Sequence, residues 1–521
     1  MSRLPARAPL SPPRPAHRAV LIGTPETVRQ AREQLAIIND APDPLGCILI
    51  DKTQPRAAGG LPVFGTVADL ESAVERQRLT LAIVSLPMAM TETINTVRTT
   101  LRRLGIAERF LPPIQDLLTQ TPPFSVGLAT PATQAGPVAA TPRIDIADLI
   151  GRTPHPIDRA AIGSILTGKR VLITGAGGSI GAEIARIVAS FNPEQVQLVE
   201  RAENPLFEID RQIARKHPGV SRRAILHDVV ETEPTLRLLV DLKPHVVFHA
   251  AAHKHVPLME DHPAHAVNNN LFGTKSIADA AMAVGAERFV MVSSDKAVNP
   301  TSVMGATKRL AELYIQALHE ASRRMSGNRP GTRFGMVRFG NVIGSAASVL
   351  TIWSAQLAEG GPITVTDPRM TRFFMTIPEA AALVIQTAAI DDDTGPKPQE
   401  RAAVHVLDMG EPIRIVELAK RFVRAHGFSP RVAGEEAEES GLPAMDIVFT
   451  GSRPGEKLYE ELSYGAEELA PTRFAGINAW RGGAGTPDVA AMIADLSAVR
   501  TVRDREAVLA AIRRHVPEMT Q

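Results

Sequence analysis

Short apolar runs recur along the chain, separated by longer stretches whose apolar positions return at helical spacing. Short runs bounded by turn residues read as buried strands, and the periodic stretches read as amphipathic helices. Over residues 19–115 the runs Ala19–Ile22, Cys47–Ile50 and Leu81–Ser85 predict strands, and residues 25–38 predict a helix between the first two. Strands separated by a helix imply a parallel sheet, so this stretch is expected to be a small Rossmann-like α/β domain. From Lys169 onward the alternation is denser. Val171–Thr174, Val196–Val199, Ala224–Leu226, Val246–His249, Phe289–Ser293 and Phe334–Val337 predict strands, with helical segments between them. That order predicts a doubly wound parallel sheet with its ligand crevice at the C-terminal ends of the strands. Residues 485–515 read as helical, their charges forming a solvated face.

With 521 residues the chain exceeds one ordinary domain, and two or three are expected. Residues 116–142 are rich in Pro, Thr, Gly and Ala and read as a linker. Residues 1–18 are basic and Pro-rich and lack the apolar core of a signal peptide, so a disordered tail is expected. Order returns at IDIADLIGR, residues 144–152. The net charge of +1 supplies no field to steer the chain toward nucleic acid, and aromatics at 4% argue against base-stacking platforms. Cys47 is the lone cysteine, which excludes an intrachain disulfide and a cysteine zinc site and fits a reducing, cytoplasmic compartment. No apolar run reaches the length of a membrane-spanning helix.

Candidate chemistry begins at VLITGAGGSIGAEIA. Thr174 ends a strand, Gly175, Gly178 and Gly181 follow, and a helix opens at once. Glycines permit the tight turn and close backbone approach, and a helix N-terminus offers N–H groups and a positive dipole end to a pyrophosphate. Glu200 ends the next strand, where a carboxylate can bond both ribose hydroxyls and repel a 2′-phosphate, favouring NAD. Arg201 beside it is a residue type that can hold a 2′-phosphate. Asp228, after the third strand, is placed to meet the adenine edge, or is a turn residue. The turn after the first strand of the N-terminal domain, Gly23-Thr24-Pro25-Glu26, lacks the several glycines of such a site. A structural, dimerising or regulatory role is expected there.

The fourth strand runs into a segment crowded by His249, His253, His255, His262 and His265. Pro257 and Pro263 interrupt the helical spacing that a chelating set would use, and no metal is expected. Ala250, Ala251 and Ala252 read as a thin wall under the cofactor, with Lys254 reaching into the site. The fifth strand ends at Ser293 and Ser294, and Asp295 and Lys296 follow in the crevice. An acid and an amine side by side at a strand end suit a proton-shuttling elimination; the plain alternative is a surface turn. Lys308 lies one helical turn beyond Met304.

These segments resemble the nucleotide-sugar 4,6-dehydratases of bacterial polysaccharide biosynthesis, extended short-chain dehydrogenases/reductases, especially the long UDP-N-acetylglucosamine 4,6-dehydratases. The resemblance is carried by DLIGR at 148–152, TGAGGSIG at 174–181, HAAAHKHVPLME at 249–260, SSDKAVNP at 293–300, VRFGNVIGS at 337–345, GGPITVTDPRMTRFFMTIPEA at 360–380, LDMGEPIRIVELAKRF at 407–422 and RPGEKLYEEL at 453–462. It implies a catalytic domain over 143–521, with an NAD part at about 165–335 and a smaller nucleotide-sugar part at about 336–470. It adds Thr174, Ser179, Ile180, Val229, Lys254, Asn270, Ser293 and Lys308 to the residues expected around NAD. The implied reaction moves a hydride from sugar C4 to NAD and back to C6, with water lost between. Lys296 would remove the C5 proton, Asp295 would protonate the departing C6 hydroxyl, and Ser294 would bond the C4 oxygen. Lys308 would hold the nicotinamide ribose and favour the C4 alkoxide. Lys254, Asn341, Arg453 and Glu456 would hold the UDP-sugar, Arg453 on phosphate, where its fork suits the oxygens.

Two departures qualify the likeness. Long members usually open with transmembrane helices, which this sequence does not show, and the glycine turn at Gly23 is degenerate. Where short-chain dehydrogenases generally carry a Tyr-x-x-x-Lys pair, Met304 stands at the tyrosine position with Lys308 kept, as in the long dehydratases. Methionine has no titratable proton, so Met304 is expected to pack and shape the sugar pocket. The base at the C4 hydroxyl is then Asp295, Lys296 or an ordered water, with Asp295 preferred. Two competing readings stand beside the dehydratase. A nucleotide-sugar epimerase needs no elimination acid, and an NAD- or UDP-sugar-sensing scaffold needs no Asp295, Lys296 or Lys308. A homo-oligomer is expected.

Overall fold

The structure, a computed structural model, describes residues 18–37, 42–50, 57–86, 90–110, 149–325, 331–345, 348–390, 403–435, 442–465, 469–480 and 488–520. The expected tail before Arg18 and the expected linker 116–142 lie outside the described residues. The chain divides into two units, Met1–Arg143 and Ile144–Gln521.

The first unit is built on a sheet in the order Ala57–Ala58, Leu61–Thr66, Pro44–Leu49, Ala19–Gly23, Leu81–Ser85, Ala107–Phe110. All neighbours pair in parallel except Ala57–Ala58 with Leu61–Thr66. Ala19–Gly23 is buried along its whole length, which is why its apolar run was legible. The Leu61–Thr66 strand was not anticipated, because Pro62 and Gly65 interrupt its apolar pattern. The turn after Ala19–Gly23 is closed by its own side chains. Thr27 Oγ1 donates to Ser85 O at 2.5 Å, and a Cβ added at Gly23 would lie 2.4 Å from that hydroxyl.

The second unit holds a nine-stranded sheet. Its order is Leu469–Pro471, Ile477–Trp480, Ala403–Leu407, Arg333–Arg338, Arg288–Val292, Val246–His249, Arg170–Thr174, Gln195–Glu200, Arg222–Leu226. Pairing is parallel from Ala403–Leu407 to Arg222–Leu226, and antiparallel on either side of Ile477–Trp480. The six expected strands are present; the parallel sheet gains Ala403–Leu407, whose run AVHVL carries a histidine in its middle. Apolar clusters cover both faces. One gathers Leu172, Val247, Phe289 and Leu310, and the other Val171, Ile173, Phe248 and Val337. Truncating a fully buried ring such as Phe248 or Phe289 to Ala is expected to cost roughly 3–5 kcal/mol. Strand order reverses at Arg170–Thr174, which places a crevice between its C-terminal end and that of Val246–His249.

A smaller layer lies over residues 341–460. Ile363–Val365, Ala444–Phe449 and Ser429–Val432 pair in parallel, and helices Val349–Ala358 and Ile415–Ala425 pack on them around Trp353. Leu149 and Ile150 of the DLIGR segment join that core. The C-terminal stretch is two helices, Val489–Val499 and Arg505–His515. Their apolar faces bury Met492, Leu496, Leu509 and Ile512 in the core that also holds helix Val303–Met325.

Candidate active site

The glycine turn forms because its residues leave no room for side chains. Gly175 sits at φ +65°, where a Cβ would also lie 2.8 Å from the Ala250 backbone. A Cβ on Gly181 would stand 2.0 Å from Gly175 O. Helix Ser179–Ala189 therefore starts against the end of strand Arg170–Thr174, with Gly178 as its N-cap. The adjoining cavity, of about 180 Å³, is lined by Gly175, Gly178, Glu200, Ala250, Ala251 and Ala252 together with Val199, Arg201, His227, Asp228, Val229, His253 and Asn269. Glycines packed too tightly for any Cβ, backed by a helix N-terminus, fit a pyrophosphate. Glu200, expected at the ribose, and Asp228, expected at the adenine edge, border the same cavity, so the donor set fits a dinucleotide.

Glu200 is used locally as well. Its Oε2 accepts from Gly177 N at 3.1 Å, and its Oε1 accepts from Arg201 N at 2.9 Å and Ala202 N at 3.2 Å. Arg201 turns away from it, toward Asn269 Oδ1 at 3.1 Å, His253 Nε2 at 3.2 Å and Asp228 Oδ2 at 3.8 Å. His253 stacks on His265, with ring nitrogens 3.0 Å apart. Burial and then Arg201 push the pKa of His253 down to about 4, so it is neutral near pH 7. Among the described residues no group of three or more His, Cys, Asp or Glu converges as a metal site, and no helix is long and apolar enough to cross a membrane.

Lys254, Asn270, Ser293 and Thr174 are not among the residues that line this cavity. Lys254 keeps an exposed surface, but partial burial lowers its pKa; its neighbour His253 lines the cavity. Asn270, fully buried in a π-helical turn Val267–Phe272, spends its amide on His253 N, His253 O and Thr307 Oγ1. It braces the wall, and its neighbour Asn269 lines the cavity. Ser293 is buried and donates to Glu312 Oε1 at 2.7 Å. Thr174 is buried beneath the turn against His249 Nδ1 at 2.7 Å. Ser179 and Ile180 open the helix, and Val229 lines the cavity from the core side.

The second half of the site lies beyond strand Arg288–Val292. Ser294 caps the short turn Asp295–Ala297 and donates to Asp295 Oδ1 at 2.8 Å. Asp295 is fully buried, and its Oδ2 has no hydrogen-bond partner among the described residues. Lys296 Nζ lies 3.0 Å from Asp295 Oδ1, 3.2 Å from Asn341 Oδ1 and 3.3 Å from Glu460 Oε1. Burial works against the charge on Lys296, and the carboxylates of Asp295 and Glu460 outweigh it, holding its pKa above the ordinary lysine value. Lys308 Nζ donates to Val292 O at 2.6 Å, and burial lowers its pKa to about 8. Met304, one turn earlier on the same helix, is buried in the apolar core.

Asn341 thus meets Lys296. Arg453 is exposed, its N–H donating to Glu456 Oε2 at 3.2 Å. That turn is tied to the segment after Lys296 by Thr301 Oγ1 to Gly455 O at 3.1 Å and Lys457 Nζ to Val298 O at 2.9 Å. Sequence reasoning missed Glu460, buried beside Lys296, and Arg372, whose Nε lies 3.7 Å from Glu460 Oε1. Both stand inside quoted motifs, but in loop and short-strand segments no periodicity says which of Glu460 and Glu461 points inward. Glu312, buried on helix Val303–Met325 between Arg338 and Arg309 beneath Ser293, was missed because its partner Arg338 comes from a distant strand.

The sequence profile of the polysaccharide biosynthesis protein family matches residues 171–481. The chain is 39% identical over 467 residues to the probable polysaccharide biosynthesis protein EpsC of Bacillus subtilis, covering 88% of this chain and 71% of that one. It is 39% identical over 401 residues to the capsular polysaccharide biosynthesis protein CapD of Staphylococcus aureus, covering 77% and 60%. Over 300 residues it is 32% identical to a UDP-N-acetylglucosamine 4,6-dehydratase (inverting) of Campylobacter jejuni, covering 56% and 76%. With its glycine turn, its doubly wound sheet and the motifs along both, the chain belongs to the polysaccharide biosynthesis protein family, in the nucleotide-sugar dehydratase and epimerase group.

Proposed function

We propose that this chain removes water from a UDP-hexose, UDP-N-acetylglucosamine first among candidates, to form a 4-keto-6-deoxy sugar. The observation that carries the reading is the buried acid–amine pair, Asp295 and Lys296, two strands from the glycine turn. The named dehydratase activity of the Campylobacter jejuni relative supports it. The cofactor is NAD, which when bound would supply reversible hydride transfer at the sugar. Gly175, Gly178 and Gly181 would take its pyrophosphate, Glu200 its adenosine ribose, Asp228 its adenine edge, and Lys308 its nicotinamide ribose.

The residues then divide the proton work. Asp295 receives the C4 hydroxyl proton and delivers it to the departing C6 oxygen. Ser294 holds the C4 oxygen. Lys296 takes the C5 proton and later returns it. Met304 offers no proton at the position where a tyrosine would act. Arg453 and Glu456 hold the nucleotide, and Asn341 orients Lys296. An epimerase would need no such acid at C6.

Incubation of the purified protein with UDP-N-acetylglucosamine, followed by mass spectrometry, tests the reading. One water lost without added reductant is expected. Only isomers of unchanged mass would overturn it.

A further inference from the structure

Lys296 cannot remove a proton while it carries three of its own, and its surroundings supply three acceptors. Asp295 Oδ1, Asn341 Oδ1 and Glu460 Oε1 stand 3.0, 3.2 and 3.3 Å from Nζ. Those contacts match the three donors of an ammonium. In the dehydratase reading, on which this inference rests, Asp295 is occupied by the proton travelling from the C4 hydroxyl to the C6 oxygen. Asn341 offers an amide oxygen, which is no base. That leaves Glu460. Its side chain is only 2% exposed, and its second oxygen, Oε2, has no hydrogen-bond partner among the described residues.

We propose that Glu460 is the proton store for Lys296, accepting one proton from the ammonium so that the amine is free to act at sugar C5. One N–H bond of Lys296 breaks, one O–H bond forms on Glu460, and an ion pair becomes a neutral amine beside a neutral carboxyl. The amine lone pair then takes the C5 proton and returns it after water has left, and Glu460 hands its proton back. No proton crosses to solvent. Arg372 faces Glu460 from strand Thr371–Arg372, and its guanidinium is mostly spent on the carbonyls of Thr371, Lys457 and Leu458. Lys457 is turned to Val298 O and Glu461 to Asn299 Nδ2, so neither competes for the shared proton. Glu460 touches Lys296 and acts through it, as a positioning residue for its proton.

A purely structural brace and a proton store differ in their response to pH. Because the wild-type transfer is internal, kcat should be flat around neutral pH. In E460Q the amine must lose its proton to solvent, so kcat should start roughly 10²-fold below wild type at neutral pH and climb about tenfold per pH unit up to about pH 8, above which loss of the Lys308 charge takes over. KM should stay unchanged. E460D keeps a carboxylate and should keep the flat profile at a reduced rate. A flat profile in E460Q, with full or uniformly reduced rate, would overturn the inference, and so would an E460D profile that climbs. Product formation by wild type separates the two failures. A wild type that removes no water sinks the functional reading and this inference together. A wild type that dehydrates beside a flat E460Q profile sinks this inference alone.

Discussion

Replacing Glu312 by Gln keeps the shape of the side chain and removes its charge, and the structure sets how much that should cost. Glu312 is fully buried. It accepts from Arg338 Nε at 2.8 Å and Nη2 at 2.7 Å, from Arg309 Nη1 at 3.2 Å and from Ser293 Oγ at 2.7 Å. Burial alone would raise its pKa, and Arg338, then Arg309 and Ser293, reverse that and hold it at about 2 against an ordinary 4.5. A lowered carboxylate pKa means that the stabilisation is fully present above the unfolded value of 4.5 and is lost as pH falls through about 2. The interval corresponds to about 3 kcal/mol at neutral pH. Breaking a buried pair while its partner stays buried costs roughly 3–5 kcal/mol by independent reckoning, and here Arg338 would be left without exposure. Urea unfolding at pH 7 should therefore show Glu312→Gln less stable by about 3 kcal/mol, with the midpoint moved and the slope kept. In the double variant Glu312→Gln/Arg338→Met most of that loss should return, since the buried cation that faced Glu312 is removed with it. A single variant within about 1 kcal/mol of wild type, or a double variant equal to the sum of the singles, would show that the network carries little energy.

Outcomes for four further variants follow from the same geometry. Gly181→Ala, whose Cβ would meet Gly175 O at 2.0 Å, should abolish NAD retention, read as NAD released from denatured protein; normal retention would refute the tight cradle. Met304→Leu should keep most product formation because the site is an apolar packing position. Lys308→Ala should lose most of it, and wild-type kcat should fall as pH rises through about 8, where Lys308 gives up its charge; a rate indifferent to pH there would remove that charge from catalysis. Glu518→Gln should loosen the C-terminal segment from Arg309 Nε and Tyr464 OH, 3.2 Å from its Oε1 in each case, and lower stability by about 1–2 kcal/mol in thermal or urea unfolding; no measurable change would mark these contacts as incidental.

What the sequence determined by itself were the features written in neighbouring residues. A parallel strand buried on both faces is a continuous apolar run, so Val246–His249 and Leu81–Ser85 were read to the residue. The turn was legible because the atoms that crowd Gly175, Gly178 and Gly181 lie within a few residues of them or just beyond the adjoining strand. Asp295 and Lys296 were legible as a pair because they are adjacent in the chain. The tertiary structure alone decided what faces them. Glu460 reaches Lys296 and Arg338 reaches Glu312 from distant segments, through loops and strand ends that carry no period. The same packing set Asn270 and Ser293 in bracing contacts, with Thr307 and Glu312. Periodicity records which side of an element is buried. Which buried polar group meets which is settled only when the sheet brings its strand ends together, because an unpaired charge there costs more than any local preference can offset.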